Sequence, residues 1–296
     1  MTRFVMIADT HAGASPMGYT RQVPYPERFG AIVGALGVWM DQWGQADFVL
    51  HAGDLLDATT SEAIAESAEI LGRLPAPTFL ALGNHDLTTP DAMDLWLAGA
   101  PHLIGSAESE GPAGNFSLRI GDLQIHTLVT QWSEIPDYWE EGLDARFTPA
   151  QWEWLEGVVA EAPEAAHVLL THSQVLPVPI EQTQTPTPLH DSSAAFKAEF
   201  EAFCAKYPQI RAVLGGHSHM NMHVERAGVH YVTGSALVES PFELKCFEFD
   251  ENEPNSAKKL KMTTESLLAF APDLVGPADY DESAAFVQGR PQDRQF

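Results

Sequence analysis

Basic residues are scarce in this chain, where 16 lysines and arginines stand against 41 aspartates and glutamates, for a formal charge of −25. A protein that binds nucleic acid needs a basic surface, and the only Lys/Arg cluster in the sequence is Lys258–Lys261. The charge therefore argues against nucleic acid as a partner. It also repels anionic substrates at long range, so a site for phosphate would need local positive charge, which bound metal ions can supply.

Cysteines and long apolar runs are also rare. The two cysteines, Cys204 and Cys246, lie in apolar surroundings, which predicts buried thiols rather than a disulfide framework. No apolar run reaches the roughly 18 residues of a membrane-spanning helix, and the apolar start Phe4–Ala8 reaches Asp9 too soon for a signal peptide. We therefore expect a cytoplasmic protein with no membrane partner, and we leave a homodimer open.

The chain has 296 residues, of which 45% are hydrophobic, so it can bury one large core. In its first half, strand-like runs alternate with segments of helical period such as Glu27–Gly44, which is typical of βαβ units. A hairpin is predicted at Gly121-Asp122, and the proline-rich segment Ser173–Asp191 is predicted to be a long loop. Three threonines are predicted to cap helices: Thr59 with Glu62, Thr89 before Pro90, and Thr148 with Gln151 before Pro149. We expect one domain over residues 1–270, followed by a loosely packed tail over residues 271–296.

Polar side chains follow five of the predicted strands, at the point where each strand ends. These fragments are Asp9-Thr10-His11, Gly53-Asp54-Leu55-Leu56-Asp57, Gly83-Asn84-His85-Asp86, Thr171-His172 and Gly216-His217-Ser218-His219. The carboxyl ends of parallel strands converge on one crevice, so these side chains are expected to meet. A crevice with carboxylates, imidazoles and an amide but no thiolate is suited to a pair of divalent metal ions.

In this order, the five fragments resemble the calcineurin-like metallophosphoesterase superfamily, most of all its bacterial class III cyclic-nucleotide-type phosphodiesterases. The resemblance extends over residues 9–219. It implies an α/β fold, a four-layer α/β/β/α sandwich of two mixed sheets flanked by helices. It also implies two divalent metal ions (Mn, Fe or Zn) with seven ligands: Asp9, His11 and His219 on one ion, Asn84, His172 and His217 on the other, and Asp54 bridging the two.

The same resemblance makes His85 a catalytic histidine that does not bind metal. It would contact the phosphate or protonate the leaving alkoxide, with Asp86 orienting its ring. Asp57 is expected to support the turn or a neighbouring imidazole. The pocket wall is expected to come from the segments Ala12–Pro26 and Gln174–Asp191. Their candidate substrate-binding residues are Tyr19, Arg21 and His190.

We therefore expect a two-metal hydrolase of a small phosphodiester, a cyclic nucleotide or similar, in which a metal-bound hydroxide attacks phosphorus. Leu87-Thr88 after Asp86 argue against a protein phosphatase, and the acidic charge argues against a DNA-repair nuclease. Two alternatives remain open. One is a phosphomonoesterase or nucleotide pyrophosphatase with the same site, and the other is a non-catalytic binding scaffold with the same fold.

Overall fold

Two mixed β-sheets lie face to face, and helices cover the outer surface of each sheet. The computed structural model describes residues 1–15, 20–105, 111–112, 114–130, 145–253, 259–270 and 281–296. The strands are β1 (Thr2–Ile7), β2 (Phe48–His51), β3 (Thr78–Leu80), β4 (Phe116–Ile120), β5 (Leu123–Thr127), β6 (Ala166–Leu170), β7 (Ile210–Gly215), β8 (Met222–Arg226), β9 (Val229–Thr233), β10 (Glu243–Phe249) and β11 (Leu260–Ser266). The helices are α1 (Phe29–Trp43), α2 (Ser61–Leu71), α3 (Ala92–Gly99), α4 (Pro149–Glu161), α5 (Ile180–Thr183) and α6 (Ala194–Lys206).

The first sheet has the strand order β11-β10-β1-β2-β3, in which β1, β2 and β3 are parallel. The second has the order β4-β5-β6-β7-β9-β8, in which β5, β6, β7 and β9 are parallel and the two edge strands are antiparallel. The predicted α/β/β/α sandwich of two mixed sheets is confirmed. The hairpin at Gly121-Asp122 is confirmed as well, because Ile120 pairs with Leu123 across it.

Alternate residues of each central strand point to opposite faces of the sheet. In β1, Phe4 and Met6 enter the apolar layer between the sheets, while Val5 and Ile7 face the layer of α1, α2 and α3. On the other side of the molecule, α4 and α6 cover the second sheet, and Phe200 of α6 is fully buried there. Both sheets are therefore buried on two faces, which leaves their strand ends as the place for polar chemistry.

Helix starts show where local sequence signals hold and where they fail. The capping box of Thr148 and Gln151 is present at the start of α4, as predicted. The predicted cap at Thr59 is wrong, because Thr60 is the N-cap of α2. The hydroxyl of Thr59 instead accepts a hydrogen bond from the backbone N–H of Thr88, and the hydroxyl of Thr88 accepts one from the backbone N–H of Thr59. A tertiary contact has displaced the local one.

Two further expectations change in the structure. The predicted cap at Thr89 is wrong, because its carbonyl accepts the N–H of Ala92 in a turn and α3 begins only there. The segment Ser173–Asp191 is not a simple loop, because it contains α5 and a bridge between Val178 and Leu189. Proline spacing does not rule out these short elements, since α5 needs only three backbone hydrogen bonds, two of which are accepted by the carbonyl of Pro179.

The described part of the predicted tail, residues 281–296, is hydrogen-bonded to both sheets. Met262 of β11 and Phe296 exchange backbone hydrogen bonds, and the buried Asp293 accepts the N–H of His223 in β8. These bonds join the described part of the tail to both sheets, whereas the domain division at residue 270 and the loose packing of the tail as a whole stay predictions. Among the described residues, no helix is long and apolar enough to cross a membrane.

Both cysteines are buried free thiols, as predicted. Burial raises the pKa of Cys204 to about 12, and burial also raises the pKa of Cys246. Both side chains are therefore protonated and apolar in character at neutral pH.

Candidate metal centre

The seven residues predicted as ligands come together at one end of the two sheets. Three of the strand ends that carry them, those of β1, β2 and β3, belong to the first sheet, and two, those of β6 and β7, belong to the second. β1, β2 and β3 are parallel to one another, and so are β6 and β7. The carboxyl ends of the five strands therefore meet at one edge. The site is therefore built jointly by both sheets.

Asp9, His11 and His219 form the first group of candidate ligands. One potential ligand atom from each residue lies within 4.8 Å of the others, and all three side chains are buried. The Nε2 atoms of His11 and His219 are 3.1 Å apart, and Nε2 of His219 is 3.7 Å from Oδ1 of Asp9. This is the set that the sequence assigned to one ion.

Asp54, His172 and His217 form the second group, again with one potential ligand atom each within 4.8 Å of the others. Asn84 joins this group, because its Oδ1 is 3.1 Å from Nε2 of His172. Nδ1 of His217 is 3.2 Å from the same Nε2 atom. Nδ1 of His172 is 2.8 Å from the carbonyl of Ala52, so it donates to that oxygen, and Nε2 is the nitrogen that faces the other potential ligand atoms.

Asp54 lies between the two groups. Its Oδ2 is 3.2 Å from Nε2 of His172 in the second group and 3.9 Å from Nε2 of His11 in the first. Its Oδ1 accepts the backbone N–H of His85 at 2.9 Å. A carboxylate in this position is within reach of both groups, which is what a bridging ligand requires.

The backbone at the candidate ligands is unusual. Five of the seven have positive φ: Asp9 (52°), His11 (42°), Asp54 (52°), His217 (68°) and His219 (56°). Left-handed backbone costs a non-glycine residue about 1–2 kcal/mol, and it persists only where the surrounding structure enforces it. At two of the five, backbone hydrogen bonds hold this conformation: Asp9 donates to the carbonyl of Gly53, and His11 donates to that of Asp54.

Two glycines leave room for the ligand side chains. Gly53 has φ of +91°, and a Cβ there would collide with the ring of His172. A Cβ at Gly83 would collide with the carboxylate of Asp54 and with His172. Glycine is therefore required at both positions by the close approach of the second sheet's histidine to the loops of the first sheet.

Burial and charge set the protonation of the cluster. Burial lowers the pKa of His11 and His217 well below the usual histidine value, so both rings are neutral, the form that binds metals. Burial raises the pKa of Asp9 to about 6. Burial opposes ionisation of Asp54 too, but the charge and hydrogen bond of His172 outweigh it, and the pKa of Asp54 is well below its usual value. The same pairing outweighs burial at His172 and raises its pKa to about 9.

His85 is adjacent to the cluster, with its ring edge-on to His11 at 4.7 Å between centroids. Its Nδ1 is 2.8 Å from the carbonyl oxygen of Asp57 and 3.7 Å from the Asp57 carboxylate. The prediction that Asp57 supports a neighbouring imidazole agrees with these contacts. The prediction that Asp86 orients the ring does not, because Asp86 uses its carboxylate elsewhere.

The carboxylate of Asp86 is fully buried and accepts three backbone N–H groups. One oxygen accepts from Gly83 at 3.0 Å and from Leu55 at 3.3 Å, and the other accepts from Leu56 at 3.0 Å. Asp86 therefore joins the loop after β3 to the loop after β2, the two loops that carry Asn84 and Asp54.

Two of the three predicted substrate residues, His190 and Arg21, lie at the rim of this cluster. The ring of His190 lies edge-on to that of His217, with centroids 4.7 Å apart. Burial, and then the charge of Arg21, lower the pKa of His190 to about 4, so Arg21 is near enough to act on it. The buried Nε of Arg21 has no hydrogen-bond partner among the described residues. Tyr19 lies outside the described residues.

One residue of the site was missed by the sequence analysis. Glu239 is 2% exposed, and its Oε1 is 2.6 Å from Nδ1 of His219. It lies between β9 and β10, twenty positions after His219, and no local pattern marks it. The weak signal available was an acidic residue within the otherwise uncharged stretch 227–242.

Comparison with known proteins agrees with this geometry. The family described as Calcineurin-like phosphoesterase matches residues 2–221. The 3',5'-cyclic adenosine monophosphate phosphodiesterase CpdA of Escherichia coli (strain K12) is 26% identical over 227 residues, covering 76% of this chain and 72% of that protein. A dimetal phosphatase from Danio rerio has a TM-score of 0.66 at 11% identity, covering 90% of this chain and 95% of that one. GAP50, the anchor in the inner membrane complex of Plasmodium, has a TM-score of 0.59 at 12% identity, covering 90% and 84%.

The family match extends over more than half of the chain, so the chain belongs to the calcineurin-like phosphoesterase family. It is a metal-dependent phosphoesterase, and its family uses a dinuclear centre of divalent ions. The donor set fits such a centre. Two carboxylates, four imidazoles and one amide are present in two groups, and hard or borderline ions prefer these N and O donors.

Proposed function

We propose that this protein hydrolyses a small phosphodiester, such as a cyclic nucleotide, with two divalent ions chosen from Mn, Fe and Zn. The observation that supports it most is the position of Asp54, whose carboxylate is within 3.9 Å of a histidine nitrogen from each ligand group. Asp9, His11 and His219 would hold one ion, Asn84, His172 and His217 the other, and Asp54 both. Similarity to CpdA, named a cyclic-AMP phosphodiesterase, supports the diester.

When bound, two such ions neutralise the charge of the phosphoryl oxygens and lower the pKa of a coordinated water. The protein itself contributes by setting the protonation state of the side chains that would bind the metal ions. His11 and His217 are neutral because they are buried, and Asp54 is ionised because His172 is next to it. His172, whose pKa is about 9 beside Asp54, must release its Nε2 proton when a cation binds.

His85 is the residue we propose for proton transfer to the leaving oxygen. Its Nδ1 must carry hydrogen, because a carbonyl oxygen can only accept. The other nitrogen, Nε2, is therefore the one that would pass a proton to the leaving alkoxide. Asp57 fixes the ring for this task through its carbonyl and its carboxylate.

Arg21 and His190 are proposed to contact the substrate. The unsatisfied Nε donor of Arg21 and the ring of His190 are both near the second ligand group, so a non-bridging phosphoryl oxygen is a suitable acceptor for either. The acidic protein repels both a phosphodiester and a phosphomonoester. It repels the diester less, because the diester has the smaller negative charge.

Kinetics on model esters test this proposal. With Mn²⁺ at neutral to mildly alkaline pH, kcat/KM should be higher for bis-p-nitrophenyl phosphate than for p-nitrophenyl phosphate. His85→Ala should keep both ions and lower kcat by about 10²–10⁴ for esters with poor leaving groups, but less for p-nitrophenolate, which leaves without a proton. His102→Ala, which removes an exposed histidine, is the matched control and should change nothing.

A second candidate is a phosphomonoesterase or nucleotide pyrophosphatase that uses the same site. The half-buried Arg21 favours it, because an unpaired guanidinium donor is also suited to a terminal phosphate dianion. A clear preference for the monoester across several metals would favour this candidate. Purified protein without bound metal and without hydrolysis would instead favour the scaffold alternative. A cytoplasmic location stays a prediction, and a homodimer stays open.

A further inference from the structure

Glu239 is a buried carboxylate whose two oxygens serve two different parts of the site. Oε1 is 2.6 Å from Nδ1 of His219, while Oε2 accepts the backbone N–H of Gln22 at 2.7 Å and that of Arg21 at 3.2 Å. The side chain is 2% exposed, so these donors replace nearly all of its contact with water. One residue thus contacts both a proposed ligand and the segment that presents Arg21.

The contact with His219 decides which nitrogen of that ring carries hydrogen. The Oε1 atom of Glu239 accepts from Nδ1 of His219, so in the neutral ring Nε2 holds the lone pair. Nε2 is the nitrogen that lies 3.1 Å from His11 and 3.7 Å from Asp9, where the first group of ligand atoms gathers. Without Glu239, the ring would be free to adopt the other tautomer and to rotate away from this group.

The contact with Arg21 and Gln22 belongs to a longer seam between two distant segments. Tyr25 donates its N–H to the carbonyl of Val238, and Ser240 donates to that of Val23. Leu237, in the same segment as Glu239, donates to the carbonyl of Ala8, next to the ligand Asp9. These contacts hold the Arg21 segment against the end of β1. Among them, only that of Glu239 is made by a charged side chain.

We propose that Glu239 is a positioning residue: it fixes the tautomer of His219 with one oxygen and, with the other, sets the position of the Arg21 segment relative to the metal centre. This inference rests on the proposed function, since it assumes that His219 binds metal and that Arg21 contacts substrate. Glutamine at this position can satisfy only one of the two tasks. If its oxygen faces His219, its amide hydrogens face the N–H groups of Gln22 and Arg21.

Glu243 offers a matched control. It is also buried, at 3% exposure, and it accepts hydrogen bonds from Asn221 at 2.6 Å and from Arg294 at 2.7 Å. Neither of its partners is a proposed ligand. Glu243→Gln therefore removes a comparable buried carboxylate from the neighbouring chain segment without touching His219 or Arg21.

The first test uses the wild-type protein after chelation, so it does not depend on activity. Protein labelled with ¹⁵N-histidine, at a pH high enough for the His219 ring to be neutral, should show the tautomer protonated at Nδ1, with the resonance assigned by its loss in His219→Asn. A wild-type spectrum with the neutral His219 ring protonated at Nε2 alone would overturn the proposal, whatever the variants do. A wild-type protein that does not cleave diesters would refute the proposed function but leave this tautomer result standing.

The second test compares Glu239→Gln with Glu243→Gln. Glu239→Gln should give mixed tautomers at His219, lower the affinity for one of two Mn²⁺ ions by about 10- to 100-fold, and raise KM for bis-p-nitrophenyl phosphate more than it lowers kcat. Glu243→Gln should lower Tm but leave the tautomer, Mn²⁺ binding and KM unchanged. Equal effects of the two variants on all readouts would reduce Glu239 to a structural role. If Glu239→Gln does not fold, Glu239→Asp, which is too short to reach both partners, replaces it.

Discussion

The hydrogen bonds of Asp86 lead to a prediction that separates two roles for this residue. Replacement by Asn removes one of the two acceptor oxygens. The remaining oxygen can still accept from Leu55 and Gly83, but the new amide group would then face the N–H of Leu56. A buried donor left without a partner costs about 1–3 kcal/mol, and Ala would leave three such donors. Asp86→Asn is therefore the informative variant, since Asp86→Ala could remove most of the stability of a typical domain.

Asp86→Asn should lower the free energy of unfolding by about 1–3 kcal/mol, or about 2–6 °C in Tm for a chain of this size. The measurement is best made at pH 8, because burial raises the pKa of Asp86 to about 7 and the carboxyl group is largely ionised above that value. Metal binding should weaken as well, because the loops carrying Asp54 and Asn84 lose a shared anchor. Activity should fall equally for esters with good and poor leaving groups.

Asp91→Asn is the matched control, since Asp91 is exposed and makes no side-chain cap at α3. It should change stability by no more than about 0.5 kcal/mol. The reasoning fails if Asp86→Asn keeps wild-type stability but loses activity selectively with poor leaving groups. That result would mean that Asp86 acts through His85, as the sequence alone suggested.

Three other predictions follow from the same structure. Asp54→Ala should lose both metal ions, and His219→Ala should lose mainly one, as measured by metal content after dialysis. Full occupancy of both metal sites in Asp54→Ala would disprove the bridging role of Asp54. Chelation should lower Tm, because the metal ligands come from both sheets. An ion present at 100 times its dissociation constant stabilises the folded state by about 2.7 kcal/mol. An unchanged Tm would mean that no ion is bound. Burial lowers the pKa of Lys245 to about 7, so between pH 7 and the unfolded value of 10.5 this group binds more protons in the unfolded state, and its own contribution to stability should rise with pH. Lys245→Met, measured by urea unfolding in chelator, should reduce that rise, and an identical pH profile would place the charge penalty elsewhere.

Sequence alone could predict that five of the proposed ligands lie close together, because their positions follow from a general rule. These five are Asp9, Asp54, Asn84, His172 and His217. Each residue directly follows an apolar run, parallel strands place such residues at one edge, and the strand order was not needed to know this. The same kind of local rule predicted the capping box at the start of α4.

The errors and omissions share a different cause, which is contact between segments far apart in the chain. Thr59 was a good local N-cap, but its hydroxyl is paired with Thr88, 29 residues away. Glu239 contacts Gln22 across 217 residues. Neither pairing leaves a periodic pattern, because each depends on how the loops are placed once both sheets have formed.

The left-handed backbone at five of the proposed ligands also bears on how this protein can evolve. At those positions glycine would relieve backbone strain of about 1–2 kcal/mol while it deletes the ligand, so the relief offsets part of the stability that is lost with the side chain. Selection for the reaction must therefore continually oppose glycine at these sites. A descendant of this chain released from catalysis is expected to accumulate glycine or asparagine first at Asp9, His11, Asp54, His217 and His219, which would make these five positions an early record of a change from enzyme to binding protein.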